Sequence, residues 1–299
     1  MIQPPYLIKG DKIGIVAPAR SITFEEVHPC MRMLQKWGFE AVLGTHIFKK
    51  YNQFAGQDEY RLADLQQMLD DPLVKAIMCA RGGYGTVRII DRLDFTGFLK
   101  HPKWIIGYSD ITVLHSHIER HCGTETIHAV MPFNVKTEDC FNETCESLKN
   151  VLSGQKIRYT LPVTPLSRPG SAEGILTGGN LSILVSLMGS ATEVDTTNKI
   201  LFIEDVDEYL YHIDRLMMNL KRGGKLKNLK GLIVGGMSEM KDNTVPFGKS
   251  AQEIIAEAVK EYDYPVCYDF PAGHGEENLA MILGRKINLR IGREITVEF

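Results

Sequence analysis

Lys103-Trp104-Ile105-Ile106-Gly107-Tyr108-Ser109-Asp110 is the stretch on which the fold turns. An apolar run with aromatic and β-branched residues reaches a glycine, and a serine follows two positions later. The aspartate after the serine suits the cap of a following helix. The pattern is strand, sharp turn, helix. Such a turn lifts the serine hydroxyl off the end of the strand and leaves backbone N–H groups exposed at a helix N-terminus. A nucleophile needs that exposure, and an oxyanion needs those donors. The match to G-x-S-x-G is partial, because Ile111 stands where the last glycine would be. A Ser/Asp cap after a buried strand is the competing reading.

The same alternation extends to both sides. Residues 12–18 read as an apolar strand ending in the loop Ala17-Pro18-Ala19-Arg20-Ser21. Thr23 is placed to cap a helix over 24–37, with Gly38 as its stop. A strand over 39–43, a polar and aromatic loop over 49–56 and a charged helix over 58–69 follow. Residues 74–80 read as a buried strand that runs into Arg81-Gly82-Gly83-Tyr84-Gly85 and a helix to about residue 93. After the 104–106 strand come a helix over 111–121 and a short strand over 126–130. Alternating strand and helix argues for a parallel α/β sheet, and ligands bind such sheets at the carboxyl ends of the strands. The Ala-Pro loop, the glycine-rich loop and the Ser109 turn all fall on that edge.

Residues 154–171 shift to Pro, Ser and Thr and read as a linker. The expected organisation is an N-terminal nucleophile domain over 1–153, this linker, and a smaller C-terminal domain over 172–299. In the second half, Gly178-Gly179-Asn180 leads into an apolar helix over 181–188. A strand over 200–203 ends at Glu204-Asp205, and a strand over 265–270 ends at Pro271-Ala272-Gly273-His274-Gly275. Residues 280–299 alternate like a β-hairpin with Gly292 at its turn.

Composition sets bounds. The formal net charge of −3 over 299 residues gives no reason to expect nucleic acid or an anionic membrane as a partner. The dense basic stretch over 221–230 contains two glycines and reads as a solvated turn. No secretory signal or bilayer-spanning run is evident, so a cytoplasmic protein is expected. None of the six cysteines forms a C-x-x-C pair, and reduced, mostly buried thiols are expected.

The glycine-rich loop lacks the Lys-Ser/Thr ending of a phosphate-binding loop, so an acyl oxyanion is its better ligand. His115, His117 and His121 share one helix in a spacing that does not suit a metalloprotease, and they read as helix-surface histidines. His274 differs. It lies between two glycines just past a strand, where a general base could work. Such a base needs a carboxylate to fix its tautomer, and Glu204 or Asp205 at a strand end could supply it. Asp207 and Glu208 stand at a helix start and suit capping and dipole roles better.

Together, Val16-Ala17-Pro18, Phe54-Ala55-Gly56, Arg81-Gly82-Gly83-Tyr84-Gly85, Gly107-Tyr108-Ser109-Asp110, Gly178-Gly179-Asn180-Leu181, Glu204-Asp205 with Asp214-Arg215, and Gly273-His274 resemble the L,D-carboxypeptidase family of serine peptidases. The resemblance runs nearly end to end. It implies a triad of Ser109, Glu204 and His274, and an oxyanion hole from the backbone N–H groups of Gly83 and Asp110. It implies a flavodoxin-like N-terminal domain and a smaller β-rich mixed α/β C-terminal domain. It also implies a homodimer that needs no metal or cofactor, and hydrolysis of the bond between a diamino acid's L-centre and the terminal D-alanine of murein tetrapeptides, a step of peptidoglycan recycling. Arg81 is a candidate for holding the substrate carboxylate, although an arginine after a strand equally reads as structural. Two alternatives stand beside this: a hydrolase of aminoacyl-nucleotides like the microcin C self-immunity proteins, and a catalytically silent module that binds cell-wall peptide.

Overall fold

β1 (Lys12–Val16), β2 (Glu40–Leu43), β3 (Val74–Cys79), β4 (Trp104–Gly107) and β5 (Thr126–His128) alternate with α1 (Phe24–Lys36), α2 (Asp58–Asp70), α3 (Thr96–Lys100) and α4 (Thr112–Cys122) in the computed structural model, which describes residues 1–140 and 142–299. The strands are ordered β2-β1-β3-β4-β5, and their pairings are parallel. This is the flavodoxin-like order, in which the direction of winding reverses between β1 and β3. α5 (Glu143–Leu152) follows β5.

Local chemistry explains the elements. Thr23 and Glu26 form a reciprocal capping box at the start of α1, and Gly38 lies just past its end with φ +92°. Val27, Cys30, Met33 and Leu34 supply the buried stripe of that helix. β3 and β4 are almost wholly buried, as strands covered on both faces should be.

The second unit is built on a mixed sheet. Its members are β6 (Arg158–Leu161), β7 (Gly170–Asn180), β8 (Ile200–Val206), β9 (Gly231–Ser238) and β10 (Val266–Cys267), with α6 (Leu181–Ser186), α7 (Leu210–Arg222) and α8 (Ala251–Ala258) between strands. β7, β8, β9 and β10 run parallel. β12 (Lys286–Ile291) and β13 (Ile295–Glu298) pair antiparallel as a hairpin, and they join β7 to β6. Leu201, Ile203, Ile213, Met217, Val234 and Ile255 belong to one buried cluster between this sheet and its helices.

The chain divides into two compact units. One comprises Met1–Lys156 with Leu279–Ile282, and the other Ile157–Asn278 with Leu283–Phe299. Within the Pro/Ser/Thr-rich stretch over 154–171, Arg158–Leu161 is a strand of the second sheet.

Three expectations change. The tail is a hairpin only over β12 and β13, because β11 (Met281–Leu283) lies beside β5 in the first sheet. The helix expected after the glycine-rich loop is two 3-10 turns, Thr86–Arg88 and Ile90–Arg92. Both ends of that segment are tied to other elements: Thr86 N–H donates to Asp110 Oδ2 at 2.9 Å, and Asp94 N–H donates to Gln66 Oε1 at 2.8 Å. Finally, Cys140 and Cys145 form a disulfide, while Cys30, Cys79, Cys122 and Cys267 are buried free thiols. Asn142 caps α5, its Oδ1 accepting from Cys145 N–H at 3.0 Å, and the Cys140 and Cys145 Cα atoms lie 6.0 Å apart. Among the described residues no helix is long and apolar enough to cross a membrane.

Candidate active site

The first unit gathers three loops at the carboxyl ends of β1, β3 and β4. The turn after β4 holds Ser109 at φ +64°, a left-handed conformation that costs a non-glycine residue about 1–2 kcal/mol. Helical structure begins at once, as a 3-10 turn over Ser109–Ile111 that continues into α4. The serine is therefore held on a sharp bend and left partly exposed while its neighbours Tyr108 and Asp110 are buried.

Gly82, in the loop after β3, lies against this bend. A Cβ at position 82 would stand 2.9 Å from Ser109 Cβ, 3.0 Å from Ser109 Oγ and 3.5 Å from the Asp110 nitrogen. Only a residue without a side chain lets the two loops meet so closely. Among the described residues, neither Gly83 N–H nor Asp110 N–H donates to an acceptor. Gly83 follows the glycine that abuts the serine, and Asp110 N–H lies in the first turn of a helical segment.

The Asp110 side chain does not cap its own helix, as the sequence suggested. It is buried, and its Oδ2 accepts from Thr86 N–H, which ties the Ser109 turn to the glycine-rich loop. Burial raises its pKa above the usual carboxylate range.

Two supports of this half went unread in the sequence. His115 is not on the helix surface but buried, and its Nε2–H donates to Gly107 O at 2.9 Å, directly beneath the turn. Burial lowers its pKa to about 4, so the ring is neutral at physiological pH. Arg61, 2% exposed, donates through one terminal nitrogen to Pro18 O at 2.5 Å and Gly85 O at 2.9 Å, and pairs with Asp58. It clamps the loop after β1 to the loop after β3. Its spacing from Leu65 and Met68 puts it on the apolar face of α2, and that was the available signal. Arg81, the candidate carboxylate holder, is engaged elsewhere. It pairs with Glu26 at 3.6 Å and lies 3.9 Å over the Phe133 ring.

The second unit holds the acid and the histidine. The pairing of β8 with β9 shifts register between Ile203 and Asp205, an irregularity of the kind that re-aims strand side chains. Glu204 and Asp205 are both buried, and they serve different partners. Glu204 Oε2 lies 2.7 Å from His274 Nδ1. Asp205 accepts from Asn180 Nδ2 at 3.0 Å, Ser182 N–H at 2.9 Å and Ser182 Oγ at 2.7 Å. The choice that the sequence left open therefore falls on Glu204 as the partner of His274. Gly273 has φ +118°, and a Cβ there would stand 2.7 Å from Glu204 Oε2. Its bare backbone is what allows the carboxylate to reach the ring.

Burial works against a charged His274. The hydrogen bond and charge of Glu204, with the charges of Asp205 and Glu239, outweigh it and hold the histidine's pKa above its ordinary value. Glu208 is occupied by His212 and Ser182. His117 stacks on Phe95 at 4.9 Å and lies 4.5 Å from His121. Among the described residues no group of three or more His, Cys, Asp or Glu side chains is disposed to hold a metal ion.

Residues 13–129 match the model of the LD-carboxypeptidase N-terminal domain, and residues 173–289 match that of the LD-carboxypeptidase C-terminal domain. A probable murein peptide carboxypeptidase of Bacillus subtilis is 37% identical over 99% of this chain and 93% of its own. A murein tetrapeptide carboxypeptidase of Pseudomonas aeruginosa is 31% identical over 92% of this chain and 91% of its own. The crystal structure of muramoyltetrapeptide carboxypeptidase from Oxalobacter formigenes superposes with a TM-score of 0.88 at 25% identity, covering 96% of this chain and 98% of the other. The microcin C7 self immunity protein MccF in its wild-type apo state shares the fold, with a TM-score of 0.87 at 23% identity over 100% of this chain and 99% of its own. With a nucleophile-type turn on one unit, a carboxylate–histidine pair on the other, and both family domains matched in order, the chain belongs to the LD-carboxypeptidase family.

Proposed function

We propose that this protein is a serine L,D-carboxypeptidase that removes the terminal D-alanine from murein tetrapeptides. The observation that carries the reading is the 2.7 Å contact between Glu204 Oε2 and His274 Nδ1. A buried carboxylate bound to Nδ1 fixes the ring and assigns proton transfer to Nε2. Ser109, on its left-handed turn, is the alcohol that such a base would serve.

In this mechanism His274 Nε2 takes the proton of Ser109 Oγ as the oxygen attacks the carbonyl of the diamino acid's L-centre. Gly83 N–H and Asp110 N–H donate to the oxyanion. The tetrahedral intermediate collapses, His274 returns the proton to the D-alanine nitrogen, and the amino acid leaves. Water then attacks the acyl-serine with His274 again as base, which regenerates the hydroxyl. The Glu204 carboxylate, 2.7 Å from Nδ1, stabilises the imidazolium. The same reading takes the protein as a cytoplasmic homodimer acting in peptidoglycan recycling.

The test is D-alanine release from a murein tetrapeptide, followed by mass spectrometry, for wild type and Ser109→Ala. Wild-type release with a loss of roughly 10³-fold or more in Ser109→Ala is expected. Full activity in Ser109→Ala would remove the serine mechanism. Cleavage of an aminoacyl sulfamoyl adenosine in place of the tetrapeptide would transfer the site to the nucleotide substrate.

A further inference from the structure

The structure assigns a second role on the nucleophile unit: Arg20 is the cation that receives the substrate's terminal α-carboxylate. The inference rests on the carboxypeptidase reading and adds the determinant that restricts cleavage to a chain end. A carboxypeptidase must recognise a free carboxylate beside its scissile bond, and a guanidinium is the side chain best shaped for it.

Arg20 ends the loop that follows β1. Its N–H donates to Gly82 O at 3.4 Å, and it bridges to Phe54, so its backbone is held against the glycine-rich loop. Its stem lies over Gly83: a Cβ at position 83 would stand 2.1 Å from Arg20 Cδ and 2.5 Å from Cγ. Gly82, one residue back, abuts Ser109 Oγ. Of the adjacent pair Gly82-Gly83, the first therefore lies against the nucleophile and the second against the Arg20 stem. The separation is about the breadth of two residues, roughly 4–8 Å from hydroxyl to stem. The carboxylate of a leaving amino acid lies about 4–5 Å beyond the scissile carbonyl carbon, within reach of the guanidinium at the end of that stem.

Charge balance separates Arg20 from its neighbours. Arg81 is paired with Glu26, Arg88 with Asp58, and Arg61 is buried against Asp58 and two carbonyls. Arg20 is exposed, and among the described residues no carboxylate pairs with it. It is the guanidinium of this loop cluster whose charge is left unneutralised, and its stem lies over Gly83, next in the chain to the glycine that abuts the hydroxyl.

The experiment compares a tetrapeptide ending in L-lysine–D-alanine with its C-terminal amide, using wild type, Arg20→Gln and Arg20→Lys. Lysine removes the second carboxylate that a diaminopimelate would bring. Wild type should favour the acid by about 30- to 100-fold in kcat/KM, chiefly through KM. Arg20→Gln should lose most of that on the acid, change less than about threefold on the amide, and bring the ratio near one; Arg20→Lys should fall between. An unchanged acid-to-amide ratio in Arg20→Gln, or equal losses on both peptides, overturns the inference while leaving the carboxypeptidase reading intact. No D-alanine release by wild type overturns both.

Discussion

Gly82 and Ser109 are in direct apposition: any Cβ at position 82 would lie 3.0 Å from the serine hydroxyl oxygen. That is shorter than an ordinary van der Waals contact, so one of the two loops would have to give way. The glycine-rich loop is pinned by Arg61 at Gly85 and by Asp110 at Thr86. The movement would therefore fall on the serine. Gly82→Ala is expected to fold with a melting temperature near that of wild type and to lose about 10- to 100-fold in kcat/KM. Wild-type activity in this variant would show that Ser109 Oγ is not the reacting atom.

In the proposed mechanism the Glu204–His274 pair sets a pH dependence. A base must be neutral to accept a proton, so activity should fall as pH drops through the pKa of His274. An ordinary histidine titrates near 6.5. Glu204 outweighs burial and raises His274, so the acid limb of kcat/KM should lie above that value in wild type. In Glu204→Gln the carboxylate charge beside the ring is gone, and burial, which lowers a histidine, is opposed chiefly by the charges of Asp205 and Glu239. The limb should then shift below the wild-type position while the plateau falls by on the order of 10³-fold. A limb that stays in place in the variant would mean that another group is titrating.

Arg61 offers a stability test separate from chemistry. Replacing it with methionine keeps the stem on the apolar face of α2 but leaves the carbonyls of Pro18 and Gly85 without their charged donor. Hydrogen bonds to charged groups contribute about 1.5–3 kcal/mol each. A loss of about 2–4 kcal/mol and a melting temperature lower by roughly 5–15 °C are expected, with Arg61→Lys intermediate. A melting curve like that of wild type would mean that the clamp does not hold the two loops together.

Much of this was legible along the chain. Lys103 to Asp110 announced a strand, a bend and a helix, because an apolar β-branched run and a glycine each have a narrow conformational preference, although Asp110 turned out not to cap the helix. Thr23 and Glu26 announced the start of α1 for the same reason. Residues whose role depends on a distant partner were harder. His115 looks like any helical histidine until Gly107 O is found beside it. Arg61 reads as one more charge on a charged helix until two loop carbonyls converge on it. Cys140 and Cys145 show no standard pairing motif, and only the folded chain brings them within bonding distance.

The sequence by itself determined the parallel first sheet, the bend at Ser109, the glycine-rich loop beside it and the identity of the acid–histidine candidates. These follow from local preference and hydrophobic period, which act over a few residues. Residue chemistry left Glu204 and Asp205 open and only the family resemblance pointed to Glu204; the tertiary structure sets Glu204 against His274 and gives Asp205 to Asn180 and Ser182, with a register shift between β8 and β9 at this point. It alone sent Met281–Leu283 to the first sheet, since a three-residue apolar run fits any buried edge and only long-range packing selects one.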